Sequence, residues 1–131
     1  MDRAYTSGAS SSADSRRRCS IELVLDTREV GDWTVVDVKG EVDLYTSPRL
    51  RERIVELVEE GHIRIVVNLE EVGFLDSSGL GALVGALKRV NERGGRLVLA
   101  CPEGSPLKVL TITGLDKVFA IHDSVDDALR G

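Results

Sequence analysis

The chain is poor in the residues from which most reactive sites are built. Its 131 residues include two cysteines, two histidines, one tryptophan, two tyrosines and two phenylalanines. His62 and His122 are far apart, as are Cys19 and Cys101, so no metal-ligand spacing arises. Without a secretory signal, the two cysteines read as reduced thiols of a cytoplasmic protein. Aromatics at 4% leave no platform for stacking single-stranded bases. A net charge of −5 lacks the clustered cations that phosphate contacts require. No run approaches the roughly 20 apolar residues of a membrane span. Ser15-Arg16-Arg17-Arg18 faintly resembles a twin-arginine signal, but Glu22 and Asp26 interrupt the apolar stretch that would have to follow. These absences argue against direct nucleic-acid binding, a membrane segment and a bound metal or cofactor.

What the chain does have is a core. Hydrophobic residues at 42% and charged residues at 30% suit one soluble domain. Residues 1–19, rich in Ser, Ala, Gly and Arg, read as a disordered N-terminal arm, and residues 20–131 as the folded domain. Ile21, Leu23 and Leu25 alternate with polar residues as in a half-buried strand. Gly31-Asp32 marks a turn into a second strand, Trp33 to Val38, and Gly40-Glu41-Val42-Asp43 breaks the pattern. Ser47-Pro48 predicts a helix start, with serine as N-cap. Leu50, Ile54, Leu57 and Val58 form its stripe, and Gly61 ends it. Ile63 to Leu69 is a near-continuous apolar strand of the kind covered on both faces.

A second helix follows through Leu80, Leu83, Val84, Leu87 and Val90, closed by Gly94-Gly95. Leu97–Leu99 predicts a strand, Pro106–Leu110 a third helix and Val118–Ile121 a short strand. Ser124 is placed to cap a last short helix. A hairpin followed by alternating helices and strands implies an α/β fold, a mixed sheet with helices packed against it.

The most informative stretch is Gly73-Phe74-Leu75-Asp76-Ser77-Ser78-Gly79-Leu80-Gly81, where a strand hands over to a helix. Unpaired N–H groups and the positive dipole end concentrate there. A serine at that point can cap the helix, bind an anion or receive a phosphate. Capping by Ser77 or Ser78 accounts for at least one hydroxyl, but not for both, nor for Gly79 and Gly81. The small residues Gly81, Ala82, Gly85 and Ala86 leave backbone accessible either to the sheet or to a partner. A dinucleotide fingerprint needs its glycines directly after the strand, and here Glu70 to Ser78 intervene. No Gly-Lys-Ser or Gly-Lys-Thr exists for a nucleoside triphosphate. The flanking residues do not match the Gly-x-Ser-x-Gly nucleophile elbow.

Asp76-Ser77-Ser78-Gly79-Leu80-Gly81, preceded by Gly40-Glu41-Val42-Asp43, resembles the bacterial anti-sigma factor antagonists, small STAS-domain proteins. Asn68-Leu69, Gly94-Gly95 and Thr113-Gly114-Leu115 fit the same family, over roughly residues 21–130. The resemblance implies a STAS-type fold and a partner-switching cycle. The unphosphorylated protein would bind an anti-sigma factor that is also its serine kinase, freeing a sigma factor. Phosphorylation would end binding, and a metal-dependent serine phosphatase would reset it. The chain would thus be no enzyme. The acceptor maps onto Ser77. Asp43, Thr46, Asp76, Ser78, Gly79 and Gly81 are the candidates for the surrounding docking surface, with Glu41 a weaker one. Alternatives are a STAS scaffold of a stress-signalling complex, or a small-ligand or nucleotide-binding STAS module.

Overall fold

A computed structural model describes residues 23–130. The arm expected over residues 1–19, the strand start at Ile21 and Cys19 lie outside the described residues. Strands β1 (Val24–Val30) and β2 (Trp33–Val42) form the expected hairpin. Gly31, at φ +60°, takes the conformation that a tight two-residue turn requires at its first position.

Strand β2 does not stop at Val38. It runs on through Gly40-Glu41-Val42, with register shifts between Asp37 and Lys39 and between Gly40 and Glu41. Strand β3 (Arg64–Leu75) likewise continues past Leu69, and the two extensions pair, Glu41 with Phe74 and Val42 with Leu75. Pairing between remote segments overrides the local break that Gly40 signals, and its positive φ of 107° survives as a bulge-like irregularity.

Helix α1 spans Ser47–Glu59. The expected N-cap moves by one residue. Thr46 holds the cap position, and Ser47 is the buried first residue of the helix. Helix α2 is Ser77–Glu92, strand β4 Arg96–Ala100 and helix α3 Ser105–Ile112. A 3-10 turn at Leu115–Lys117 precedes strand β5 (Ala120–His122), so Val118 is exposed rather than in a strand. Helix α4 (Val125–Arg130) starts as expected: the Asp127 amide donates to the Ser124 hydroxyl at 3.2 Å.

The sheet order is β1-β2-β3-β4-β5, antiparallel between β1 and β2 and parallel thereafter. Alternation along the central strands feeds two cores. Val36, Val38, Ile65, Val67, Leu97 and Leu99 pack with Leu50, Ile54, Leu83 and Leu110 of the three long helices. Trp33, Val35, Val66, Val98 and Ala100 pack under Val125 and Ala128 of α4. Each fully buried aliphatic side chain contributes about 1.5–3 kcal/mol. This frame holds the β3–α2 junction still.

Candidate functional site

A single residue separates the end of β3 from the start of helix α2, at the carboxyl edge of the parallel strands. Asp76 occupies the joint in extended conformation, with φ −105° and ψ −173°. Its amide donates to the Val42 carbonyl at 3.2 Å, tying the motif to the end of β2. Its carboxylate accepts from the Gly79 amide at 3.0 Å and so caps the helix. The expectation that Ser77 or Ser78 caps is therefore overturned. An acceptor one residue upstream reaches the third amide of the helix, leaving the serines inside the first turn. Ser77 is exposed there and Ser78 is half-buried.

The two glycines play different parts. A Cβ on buried Gly79 would lie 2.6 Å from Leu75 Cδ1, 2.8 Å from Val42 Cγ1 and 3.0 Å from the Val42 carbonyl. Gly79 is therefore a packing residue that lets α2 sit on the strand ends. A Cβ on exposed Gly81 would meet nothing within 4 Å. Ala82 and Ala86 are buried, and Gly85 faces the Arg51 side chain. The stripe of small residues thus splits: Gly79, Ala82 and Ala86 serve the core, while Gly81 leaves bare helix surface.

Beside the motif, the turn from β2 to α1 is held by its own side chains. Asp43 Oδ1 accepts from the Tyr45 amide at 2.9 Å and the Thr46 amide at 3.0 Å. The Thr46 hydroxyl donates to the Glu41 carbonyl at 2.8 Å and accepts from the Asp43 amide at 2.9 Å. The same hydroxyl lies 3.1 Å from Asp43 Oδ1. Asp43 and Thr46 therefore shape the turn. This engagement explains why Thr46, though at the cap position of α1, makes no side-chain cap.

The turn presents Leu44 and Tyr45 to solvent, at 64% and 84% exposure, while Phe74, which pairs with Glu41, is 47% exposed. Between α1 and α2 runs an open groove of about 340 Å³ lined by Ser47, Pro48, Arg51, Ser78, Gly81, Ala82 and Gly85. Of the groove residues, sequence reasoning singled out Ser78, Gly81, Ala82 and Gly85, and read Ser47-Pro48 only as a helix start; it missed Arg51 there and Leu44, Tyr45 and Phe74 beside it. The available signal was a pair of large apolar residues inside a polar turn.

The remaining reactive side chains sit elsewhere. His62 Nδ1 lies 3.3 Å from the Thr34 hydroxyl, at the opposite end of β3 from Ser77. His122 is level with Asn68 in the register, well short of the end of β3. Cys101 is buried, which pushes its thiol up to about 11 and keeps it protonated at neutral pH. Among the described residues, no three His, Cys, Asp or Glu side chains gather as a metal site, and no helix is long and apolar enough to cross a membrane.

Comparison with known proteins matches the STAS domain family over residues 24–128. An anti-sigma-B factor antagonist of Bacillus subtilis is 40% identical over 102 residues, covering 77% of this chain and 92% of the relative. One from Staphylococcus epidermidis is 33% identical over 106 residues, covering 81% and 98%. The crystal structure of an anti-sigma factor antagonist from Mycobacterium paratuberculosis superposes with a TM-score of 0.77 at 28% identity, covering 83% of this chain and 92% of that one. The hairpin and the mixed five-stranded sheet with its helices agree with these matches, and the chain belongs to the STAS domain family.

Proposed function

We propose that this chain is an anti-sigma factor antagonist working in the cytoplasm by partner switching, with Ser77 as its phosphate acceptor. It is a regulatory ligand rather than a catalyst. The carrying observation is the division of labour at the start of α2: Asp76 caps the helix, so the exposed Ser77 hydroxyl has no structural duty there. Two similar proteins named anti-sigma-B factor antagonists support the reading. Unphosphorylated, the chain binds an anti-sigma factor that is also its serine kinase. A metal-dependent serine phosphatase restores the binding state.

The physical switch is one of charge under a covered surface. A phosphate brings about −1.5 to −2 charges. The dipole of α2 offsets roughly 0.3–1 kcal/mol of that, so the free domain tolerates the group. Asp76 is adjacent, and Asp43 stands next to Val42, whose carbonyl binds the Asp76 amide. Like charges 4 Å apart cost about 4 kcal/mol at an effective dielectric of 20, and far less in water. The repulsion is felt once a partner covers Leu44, Tyr45, Phe74 and the α1–α2 groove. Phosphorylation therefore releases the partner and leaves the fold intact.

The glycine-loop alternative fares worse. The Asp76 carboxylate occupies the Gly79 amide that a nucleotide phosphate would use, and Gly79 is packed on Val42 rather than open to a ligand.

Incubation with the cognate kinase and ATP, followed by phosphopeptide mapping, tests the acceptor. Label is expected on Ser77, and label confined to Ser78 overturns the assignment. In calorimetry, Ser77→Ala keeps partner affinity in the presence of ATP, whereas Ser77→Asp or the phosphoprotein binds about 100-fold more weakly or worse.

A further inference from the structure

Strand β1 forms one margin of the sheet. Among the described residues no strand pairs with its outer side. The tight turn makes Val30 and Trp33 a hydrogen-bonded pair, and such pairs alternate along an antiparallel ladder. Val24, Asp26, Arg28 and Val30 therefore aim their backbone groups at β2. Leu25, Thr27 and Glu29 aim theirs outward. A row of this kind is a template for another strand.

The order of side chains along this margin says which strand fits. Val24-Leu25-Asp26-Thr27-Arg28-Glu29-Val30 is self-complementary when laid antiparallel on a copy of itself about Thr27. Val24 then faces Val30, Asp26 faces Arg28, and Thr27 faces Thr27 as a hydrogen-bonded pair, since its amide and carbonyl point outward. Leu25 faces Glu29, the one pair that adds no attraction. Directly opposite side chains share a face, and opposite charges there attract. Alternation carries Asp26 and Arg28 to the face on which Val30 packs beneath α4, so both ion pairs form on that side. Arg28 is already held in place, its Nε donating to Asp37 at 2.8 Å. On the other face Arg53 of α1 donates to the Thr27 hydroxyl at 3.1 Å, so one arginine from each copy flanks the axis there.

We infer that the outer edge of β1 is a self-association surface, on which a second copy of this chain pairs antiparallel about Thr27 to give a continuous ten-stranded sheet. The interface is one strand wide, so the dimer is weak and depends on protein concentration. The two-fold axis sends the Ser77-bearing ends in opposite directions. Both stay open, so the dimer presents two docking faces. This inference does not depend on the role proposed for Ser77, and its test does not use that residue.

Sedimentation of the full chain over a concentration series reads the association directly. The mean mass is expected to rise toward that of two chains. Asp26→Arg places arginines opposite arginines in both pairs and weakens association about tenfold or more. The double exchange Asp26→Arg with Arg28→Asp restores it, and it keeps a guanidinium beside Asp37, which Asp26 faces across β1–β2. Thr27→Pro removes the outward amide at the axis, a change an edge strand tolerates, along with the exposed hydroxyl that Arg53 binds, and leaves a folded monomer whose unfolding stays cooperative. The inference is overturned by a monomer at every concentration, or by a dimer indifferent to the Asp26 and Thr27 changes. It is equally overturned if association appears only after residues 1–20 are removed, because the leading segment of the chain would then be the occupant of the edge.

Discussion

At the residue scale, the two glycines that open α2 make opposite predictions. Gly79→Ala forces a methyl group against Leu75 and the Val42 backbone, and is expected to destabilise the fold by about 1–3 kcal/mol in denaturant unfolding. Gly81→Ala meets open space and gains helix propensity, stabilising by about 0.5–1 kcal/mol. Under the proposed function the added methyl group also stands in the docking surface, so the more stable Gly81→Ala variant binds its partner less well. Equal stability changes at the two positions would show that the packing at Gly79 is misread. Both glycines were visible in the sequence, but their difference lies in whether Val42 or solvent stands opposite.

A second residue-scale prediction concerns acid. Burial works against the charged form of Asp37, but hydrogen bonds from Arg28 and Asn68, with the nearby positive charges of Arg28 and Lys39, outweigh it and hold the carboxylate below its ordinary range. A depressed carboxylate contributes stability that is present above the unfolded-state value, near pH 4, and is lost as pH falls through the folded-state value. The stability gap between the native chain and Asp37→Asn should therefore be full at neutral pH and narrow steadily below about pH 4. A gap that does not change with pH would sink the account.

At the scale of elements, the β2–α1 turn shows how a short segment becomes a presenting surface. Asp43 accepts from two backbone amides, so Asp43→Ala leaves them without a partner, and a loss of about 1–3 kcal/mol is expected. Hydrogen exchange at the Tyr45 and Thr46 amides should quicken by more than that at buried strand amides. Asp43→Asn, which keeps an accepting oxygen, should behave close to native. The reading of Asp43 as a turn residue was open to sequence reasoning, because Asp, Thr and Ser cluster before Pro48. Leu44 and Tyr45 escaped it because composition cannot tell which side of a turn faces water. The extensions of β2 and β3 escaped for a related reason: Gly40 and Glu70-Glu71 look like breaks until each strand supplies the other's partners.

At the scale of the molecule, the sheet and its helices act as a rigid mount. The proposed switch moves no element, because Ser77 stands on the exposed first turn while the core beneath α2 is closed by Leu80, Leu83, Ala86 and Val90. The phosphorylated chain is thus expected to melt within a few degrees of the unmodified one while losing its partner. A large drop in melting temperature on phosphorylation would mean that the modification acts by unfolding. The exposed Leu44, Tyr45 and Phe74 lie on the same mount, so under the proposed function their substitution should alter binding with little change in stability.

The amino-acid order by itself determined the number and type of the elements, because alternation and the 3.6-residue period report which side of each segment meets water. It also determined the family, whose motifs are local strings of residues, and singled out the Asp76-Ser77-Ser78 stretch on which the proposed function rests. Only the tertiary structure decided that Asp76 rather than a serine caps α2, that Gly79 packs while Gly81 lies open, and that the two central strands reach each other's ends. Those outcomes depend on distances between segments remote in the chain, and local preference carries no information about such distances.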